Sequence, residues 1–220
     1  QVALEAGFTV LKDHLAFSVD ENIRVFERFR REFGEDVGLM HDAALVNYDF
    51  DEALRIGKVL EHLDFIWYEE PIDDRDHENN VRLCEELEIP IAGAETLMND
   101  PQLGQLWLRA KAVDILRVHA RHGTTPLQKT ALFAAELGAN VEPNAYGPLF
   151  GLVHARINCG VDNIAWFENA PPPRGAEMGE EIGLMNPIRP DKGWVTYPKG
   201  SGWGAEWDWK QFNKNRVAVL

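Results

Sequence analysis

Two spacings of apolar residues alternate along the chain. Seven short runs are nearly continuously apolar: "GFTVLKDH", "DVGLMHD", "LDFIWYEE", "IPIAGAE", "AVDILRVH", "ANVEPN" and "NIAWFEN". Such runs predict strands buried on both faces. The segments between them carry apolar residues at helical spacing. In "SVDENIRVFERFRREFG", Ile23, Phe26, Phe29 and Phe33 form one stripe, Ser18 with Glu21 makes a capping box, and Gly34 marks the stop. Further helices are predicted from about Asp51 to Leu63, from about His77 to Leu87 and around Gln102–Ala110. Two more fall in "TPLQKTALFAAELG", with Pro126 in the first turn, and in "LFGLVHARINCG".

Seven β/α steps with short connections predict an α/β fold, a (β/α)8 TIM-type barrel. A doubly wound sheet is the competitor, but no glycine-rich phosphate loop follows any of the runs. Seven strands would leave an eight-stranded barrel open, so its first strand is expected to be missing from this chain. Residues 1–170 are then barrel units two to eight. From about Pro171 the helical period stops, and residues 171–220, rich in Pro, Gly and Trp, read as a C-terminal extension of loops and short strands over one end of the barrel or its capping region.

Composition narrows the classes of function. A formal charge of −14 over 220 residues argues against nucleic acid and anionic membrane surfaces as partners. No apolar run approaches the roughly 18 residues of a membrane helix, and "QVALEAGF" has no signal-peptide character. Cys84 and Cys159 show no metal or redox spacing, which suits buried free thiols in a reducing cytoplasm. A small anionic substrate stays compatible, because a metal ion can reverse the field locally.

In such barrels the C-terminal strand ends form the active site. Those ends carry Lys12 and His14, Asp42, Glu69, Glu95, His119, Asn144 and Glu168. Asp42, Glu69 and Glu95 lie 27 and 26 residues apart, one β/α unit each. Each alone could be a solvated loop residue or a helix cap. Three in register on neighbouring strands would repel unless a cation joined them, and an all-oxygen set suits Mg²⁺. In "YEEP", alternation along a strand predicts Glu69 inward and Glu70 away from the site.

The runs "GFTVLKDH", "VGLMHDA", "FIWYEEP", "IPIAGAE" and "NIAWFEN", with the tail "DKGWVTYP", resemble the enolase superfamily, in its mandelate racemase/muconate lactonizing enzyme-like branch. The resemblance implies an N-terminal α+β capping domain, absent from this chain, and Asp42, Glu69 and Glu95 as Mg²⁺ ligands. It also implies abstraction of a proton next to a carboxylate to give an enediolate, and assembly into a homo-oligomer. Lys12 and His14 match the family's K-x-K pair, with histidine in place of the second lysine. Two residues apart on a strand, they face the same way. Lys12 is read as neutralising the substrate carboxylate and His14 as the base, since an imidazole needs less tuning for proton transfer at neutral pH than a lysine. The alternative is a polar loop start.

The opposing His–Asp pair of many family members is replaced here. Asn144 stands where the histidine would be and His119 near the aspartate. His119 is either a second acid/base or a polar partner of Asn144. Glu168 matches a family carboxylate that hydrogen-bonds the substrate or intermediate, Asn144 is counted with it as substrate-binding, and Tyr146 is a substrate contact or a packing aromatic. The expected function is an Mg²⁺-dependent lyase, a dehydratase of a small carboxylate substrate, either an acid sugar or a hydroxy acid. A racemase or epimerase, or a non-catalytic binding protein of this fold, are the alternatives.

Overall fold

A computed structural model of the protein describes residues 2–44, 46, 48–97, 100–144, 150–169 and 175–218. The elements run α1 (Val2–Glu5), β1 (Val10–Asp13), α2 (Val19–Phe33), β2 (Gly38–Asp42), α3 (Phe50–His62), β3 (Tyr68–Glu69), α4 (His77–Glu86) and β4 (Ile91–Gly93). They continue with α5 (Pro101–Arg109), β5 (Ile115–Val118), α6 (Thr124–Glu136), β6 (Asn140–Pro143), α7 (Phe150–Asn158), α8 (Ala176–Glu181) and α9 (Trp209–Asn215). The six strands form one sheet in sequence order, every neighbouring pair parallel. No helix among the described residues is long and apolar enough to cross a membrane.

Local chemistry sets the element ends. Glu21 reaches back to the Ser18 N–H (3.3 Å) and accepts from its hydroxyl (2.6 Å), starting α2 as the capping box predicts. Gly34 ends α2 at φ 74°, its N–H donating to the Arg30 carbonyl. The stripe of α2 packs on the outer face of the sheet. Phe26 is fully buried, its ring 4.5 Å from that of His41 and 5.5 Å from Phe65. Burial of such a side chain contributes at most about 3 kcal/mol.

The seventh predicted strand is not laddered. Val141 N–H of β6 donates to the Asn163 carbonyl (3.0 Å), so "NIAWFEN" lies beside β6. The N–H groups of Ala165 and Trp166, however, donate to the Glu142 carboxylate, at 3.0 Å each, rather than to main-chain carbonyls. A side chain stands in for the ladder there.

The sheet is curled. Six strand spacings separate β1 from the segment beyond β6, about 29 Å on a flat sheet. Yet Lys12 on β1 forms an ion pair of 2.9 Å with Glu168 of that segment. The inside of the curl holds an apolar cluster of Val10, Met40, Trp67, Ala92, Ile115 and Trp166. Two larger clusters fill the space between the outer face and the helices. Cys84 is only half-buried against one of them and Cys159, just past the end of α7, is exposed, so neither is the buried thiol expected.

The C-terminal extension contains the short helices α8 and α9 and isolated antiparallel bridges, Leu184 to Trp207 and Asp191 to Trp194, in place of the short strands expected. Two of its ties to the body stand out among the described residues. Arg156 of α7 donates to the Tyr197 hydroxyl and to the carbonyls of Pro198 and Gly200. Lys192 and Gly193 lie against Gly7, where a Cβ on Gly7 would stand 2.6 Å from the Lys192 Cα. Gly7 precedes β1, so this contact lies at the N-terminal end of the sheet, opposite the strand ends that carry the candidate site.

Candidate active site at the strand ends

A single rule generates the site. Two residues after Val10, Met40, Trp67, Ile115 and Trp166 of the apolar floor come Lys12, Asp42, Glu69, Arg117 and Glu168. Side chains two apart share a face of the sheet. The charged set is thus a second layer stacked on the floor, toward the C-terminal strand ends.

Lys12 sits among carboxylates. Its Nζ is 2.9 Å from Glu69 Oε2, 2.9 Å from Glu168 Oε1 and 3.2 Å from Asp42 Oδ2. Burial alone would lower its pKa, but Glu69, Glu168 and Asp42 outweigh burial and the repulsion of Arg117, and raise it. Lys12 is held as an ammonium. Arg117 mirrors it from β5. Only 1% exposed, it places Nε 2.7 Å from Glu69 Oε1 and 3.7 Å from Glu95 Oε2, and its Nη2 pairs with Glu168. Its guanidinium also lies 5.8 Å from the Trp67 ring centroid, within cation–π range.

Burial pushes the Glu69 carboxyl up, and Arg117 and Lys12 offset part of that rise. Glu168 goes the other way. Burial would raise it, but Arg117 and Lys12 pull it down to about 2. Asp42, 6% exposed, accepts the Ala44 N–H at 3.0 Å.

Glu95 lies two residues past β4, opening a 3-10 turn over Glu95–Leu97. Asn144 donates its amide to Glu95 Oε1 at 2.6 Å. The turn is held by buried Asp74, which accepts from Ala94 N (2.7 Å), Thr96 N (2.8 Å) and the Thr96 hydroxyl (2.7 Å). Asp74 thus grips both residues flanking Glu95.

Glu70 ends the alternation of "YEEP". The strand ends at Glu69, and Glu70 adopts φ 45° with its side chain beside Asp74. Burial first, and then the adjacent Asp74, push its carboxyl up to about 9.

His14 stands at the rim, its side chain 54% exposed, with Nε2 3.9 Å from Asp42 Oδ2. Asp13 between it and Lys12 faces outward and pairs with buried His41 Nδ1 at 2.8 Å, tying β1 to β2 behind the site. His119 is buried, and its Nδ1 accepts the Arg121 N–H at 2.8 Å. Its ring packs edge-on against Phe150 and His154. Burial, then the neighbouring His154, push its pKa down to about 3. Tyr146 lies outside the described residues.

Two contributors escaped the sequence reading, Arg117 and Glu142. Counting back by two from His119 and Asn144, on strands already assigned, points at both. Glu142, 1% exposed, is raised to about 7 by burial against the pull of the Ala165 and Trp166 N–H groups and of Arg117.

Among the described residues no three His, Cys, Asp or Glu groups converge on one metal position. Lys12 and Arg117 stand between the carboxylates instead. The donors fit a hard divalent cation in chemistry and in charge. The four carboxylates Asp42, Glu69, Glu95 and Glu168 against two cations leave a formal −2, which one such ion would neutralise. A surface cleft of about 570 Å³ lies apart from this layer, between the starts of α2 and α3 and lined by Phe17, Tyr48, Asp51 and Arg55.

Comparison with known proteins gives the family. Residues 1–211 match the family described as Enolase C-terminal domain-like. The chain is 35% identical over 204 residues to an arabinonate dehydratase of Saccharolobus solfataricus, covering 91% of this chain and 53% of that protein. It is 29% identical over 215 residues to a D-galactarolactone cycloisomerase of Agrobacterium fabrum, covering 91% and 54%. The chain thus spans about half the length of these relatives. A D-glucarate dehydratase from Agrobacterium tumefaciens, solved with magnesium, superposes with a TM-score of 0.85 at 27% identity over 99% of this chain and 58% of that one. A Pseudovibrio protein assigned to the mandelate racemase/muconate lactonizing enzymes reaches 0.90 at 26% identity, over 99% and 58%. The chain belongs to the enolase superfamily, in its mandelate racemase-like branch.

Proposed function

We propose that this protein is an Mg²⁺-dependent dehydratase of an acid sugar or related hydroxy acid. The observation that carries the reading is the charged layer itself, in which Lys12, Asp42, Glu69, Arg117 and Glu168 meet above an apolar floor with His14 at the rim. Names of relatives support the class: arabinonate dehydratase, L-talarate/galactarate dehydratase and, solved with magnesium, D-glucarate dehydratase.

In this reading Asp42, Glu69 and Glu95 hold the metal. When bound, a divalent cation supplies Lewis-acid stabilisation of the charge that develops on the substrate carboxylate. Lys12 adds a fixed positive charge beside that carboxylate, needing no reorganisation during the reaction. His14, exposed at the rim, takes the α-proton, and the C–H electron pair passes into an enediolate. The β C–O bond then breaks. The His14 imidazolium returns its proton to the leaving hydroxide, so water departs and the enol tautomerises to a 2-keto acid. One base on one face suffices for this syn course. Glu168 hydrogen-bonds the substrate, and Asn144 orients Glu95. His119 is the second acid/base only in the racemase or epimerase alternative, and Tyr146 is proposed as a substrate contact. Residues 1–170 as barrel units with 171–220 as an extension, a capping domain and first strand outside this chain, a homo-oligomer and a cytoplasmic location belong to the same proposal.

The test is incubation of the protein with Mg²⁺ and a panel of acid sugars, assayed for 2-keto acids. Exchange of the α-proton with solvent without loss of water would instead favour a racemase or epimerase. The absence of both, with no Mg²⁺ binding by calorimetry, would leave the non-catalytic reading.

A further inference from the structure

Glu142 occupies the inward face of β6, directly paired in register with Arg117. It is buried, yet it holds no place among the groups that face a substrate. Its two oxygens each accept one main-chain N–H, Oε1 from Ala165 and Oε2 from Trp166, both at 3.0 Å. Consecutive N–H groups of a regular strand point in opposite directions. Here two consecutive ones converge on a single carboxylate, so the segment departs from strand geometry just before Glu168. Upstream, Asn163 is anchored by its carbonyl, which accepts from Val141 N–H, and by its Nδ2, which donates to the Ala131 and Ala139 carbonyls at 2.9 and 3.0 Å; the Trp166 carbonyl accepts from Asn158 Nδ2 at 2.7 Å.

We propose that Glu142 is a positioning residue: its carboxylate clamps Ala165 and Trp166 so that Glu168, two residues on, meets Lys12 and Arg117. The inference rests on the proposed function only in giving Glu168 a task on the substrate. The clamp itself is a statement about the chain. A carboxylate suits it because two donors need two acceptors. A glutamine offers one acceptor oxygen and turns its own N–H groups toward the other donor.

The experiment compares the protein with Glu142→Gln, Glu168→Gln and the double variant, adding Glu142→Asp in case the glutamine variant folds poorly. Hydrogen exchange at the Ala165 and Trp166 amides is expected to quicken about tenfold in Glu142→Gln, with the β2 and β3 amides unchanged. The stability losses of the two single variants are expected to overlap in the double variant, because a displaced Glu168 has already lost its partners. With a turned-over acid sugar, kcat should fall at least about tenfold while the Mg²⁺ dissociation constant stays within about twofold. Unchanged exchange at both amides, or strictly additive stability losses, would overturn the clamp whether or not the protein is a dehydratase. Failure of turnover in the unmodified protein would count against the dehydratase reading alone.

Discussion

Lys12 Nζ lies 2.9 Å from Glu168 Oε1, joining the first strand to the segment beyond the sixth. This one ion pair spans the mouth of the curl, and Glu69 and Asp42 share its lysine. Replacing Lys12 with Met should therefore act twice. Turnover should fall by at least about a hundredfold, because a preorganised charge beside the substrate carboxylate is lost. Glu168 should also regain a higher pKa, readable by carboxylate NMR titration.

His14 makes a different prediction. Its exposure at the rim and its long approach to Asp42 place it outside the packed layer. His14→Asn should cut kcat by about 10²–10⁴-fold while thermal stability and Mg²⁺ affinity, read by calorimetry, stay close to those of the parent. Undiminished turnover would remove its assignment as the base.

Glu69 and Glu70 should part company. Glu69→Gln removes a carboxylate shared by Lys12 and Arg117, and Mg²⁺ affinity should weaken by about a hundredfold or more. Glu70 has its carboxyl raised to about 9, so at neutral pH it is protonated and glutamine is a close mimic. Glu70→Gln should change metal affinity by only a few-fold. Equal effects would contradict the division of roles.

Arg117 should be a point of fragility. Arg117→Met strands Glu69, Glu95 and Glu168 without their guanidinium. Breaking a buried pair from one side costs about 3–5 kcal/mol, measurable as a lower urea midpoint at pH 7. Arg117→Lys should restore only part of this, because an ammonium lacks the fork that serves several carboxylates at once.

His154 gives the pH prediction. Its Nε2 accepts the Ala120 N–H at 3.1 Å, and burial first, then Arg117, push its pKa down to about 4. The unfolded chain takes up that proton near pH 6.5 and the folded chain does not, so stability from this residue is present above pH 6.5 and is lost on acidification toward pH 4. His154→Gln keeps an acceptor without the titration. The stability advantage of the parent over this variant should shrink by about 2 kcal/mol between pH 7 and pH 5, followed by urea unfolding at each pH.

Periodicity alone sufficed for the strands through β6, for the packed stripe of α2 and for most of the charged layer, because two-residue alternation is a property of the backbone. It failed where side chains replaced backbone bonds. "NIAWFEN" has the composition of a strand, but its N–H groups go to Glu142, a partner more than twenty residues away. Strict alternation also stops at Glu70, where φ becomes positive. Arg117 lies inside its run and not at its end. In β5 the residue that reaches the carboxylates is two positions earlier than His119. The amide of Asn144 on Glu95, and the grip of Asp74 on the turn that carries Glu95, depend on approach between distant loops and leave no mark in spacing.

The apolar floor beneath the charged layer has a directional consequence. Met40, Trp67 and Ala92 are almost wholly buried and pack with Val10, Ile115 and Trp166 across the interior. The charged layer lies on the C-terminal side of this floor, so its excess negative charge acts most strongly toward the mouth. For an approaching cation the site is thus one-ended. Any redesign of what enters it must work on the loops around its rim.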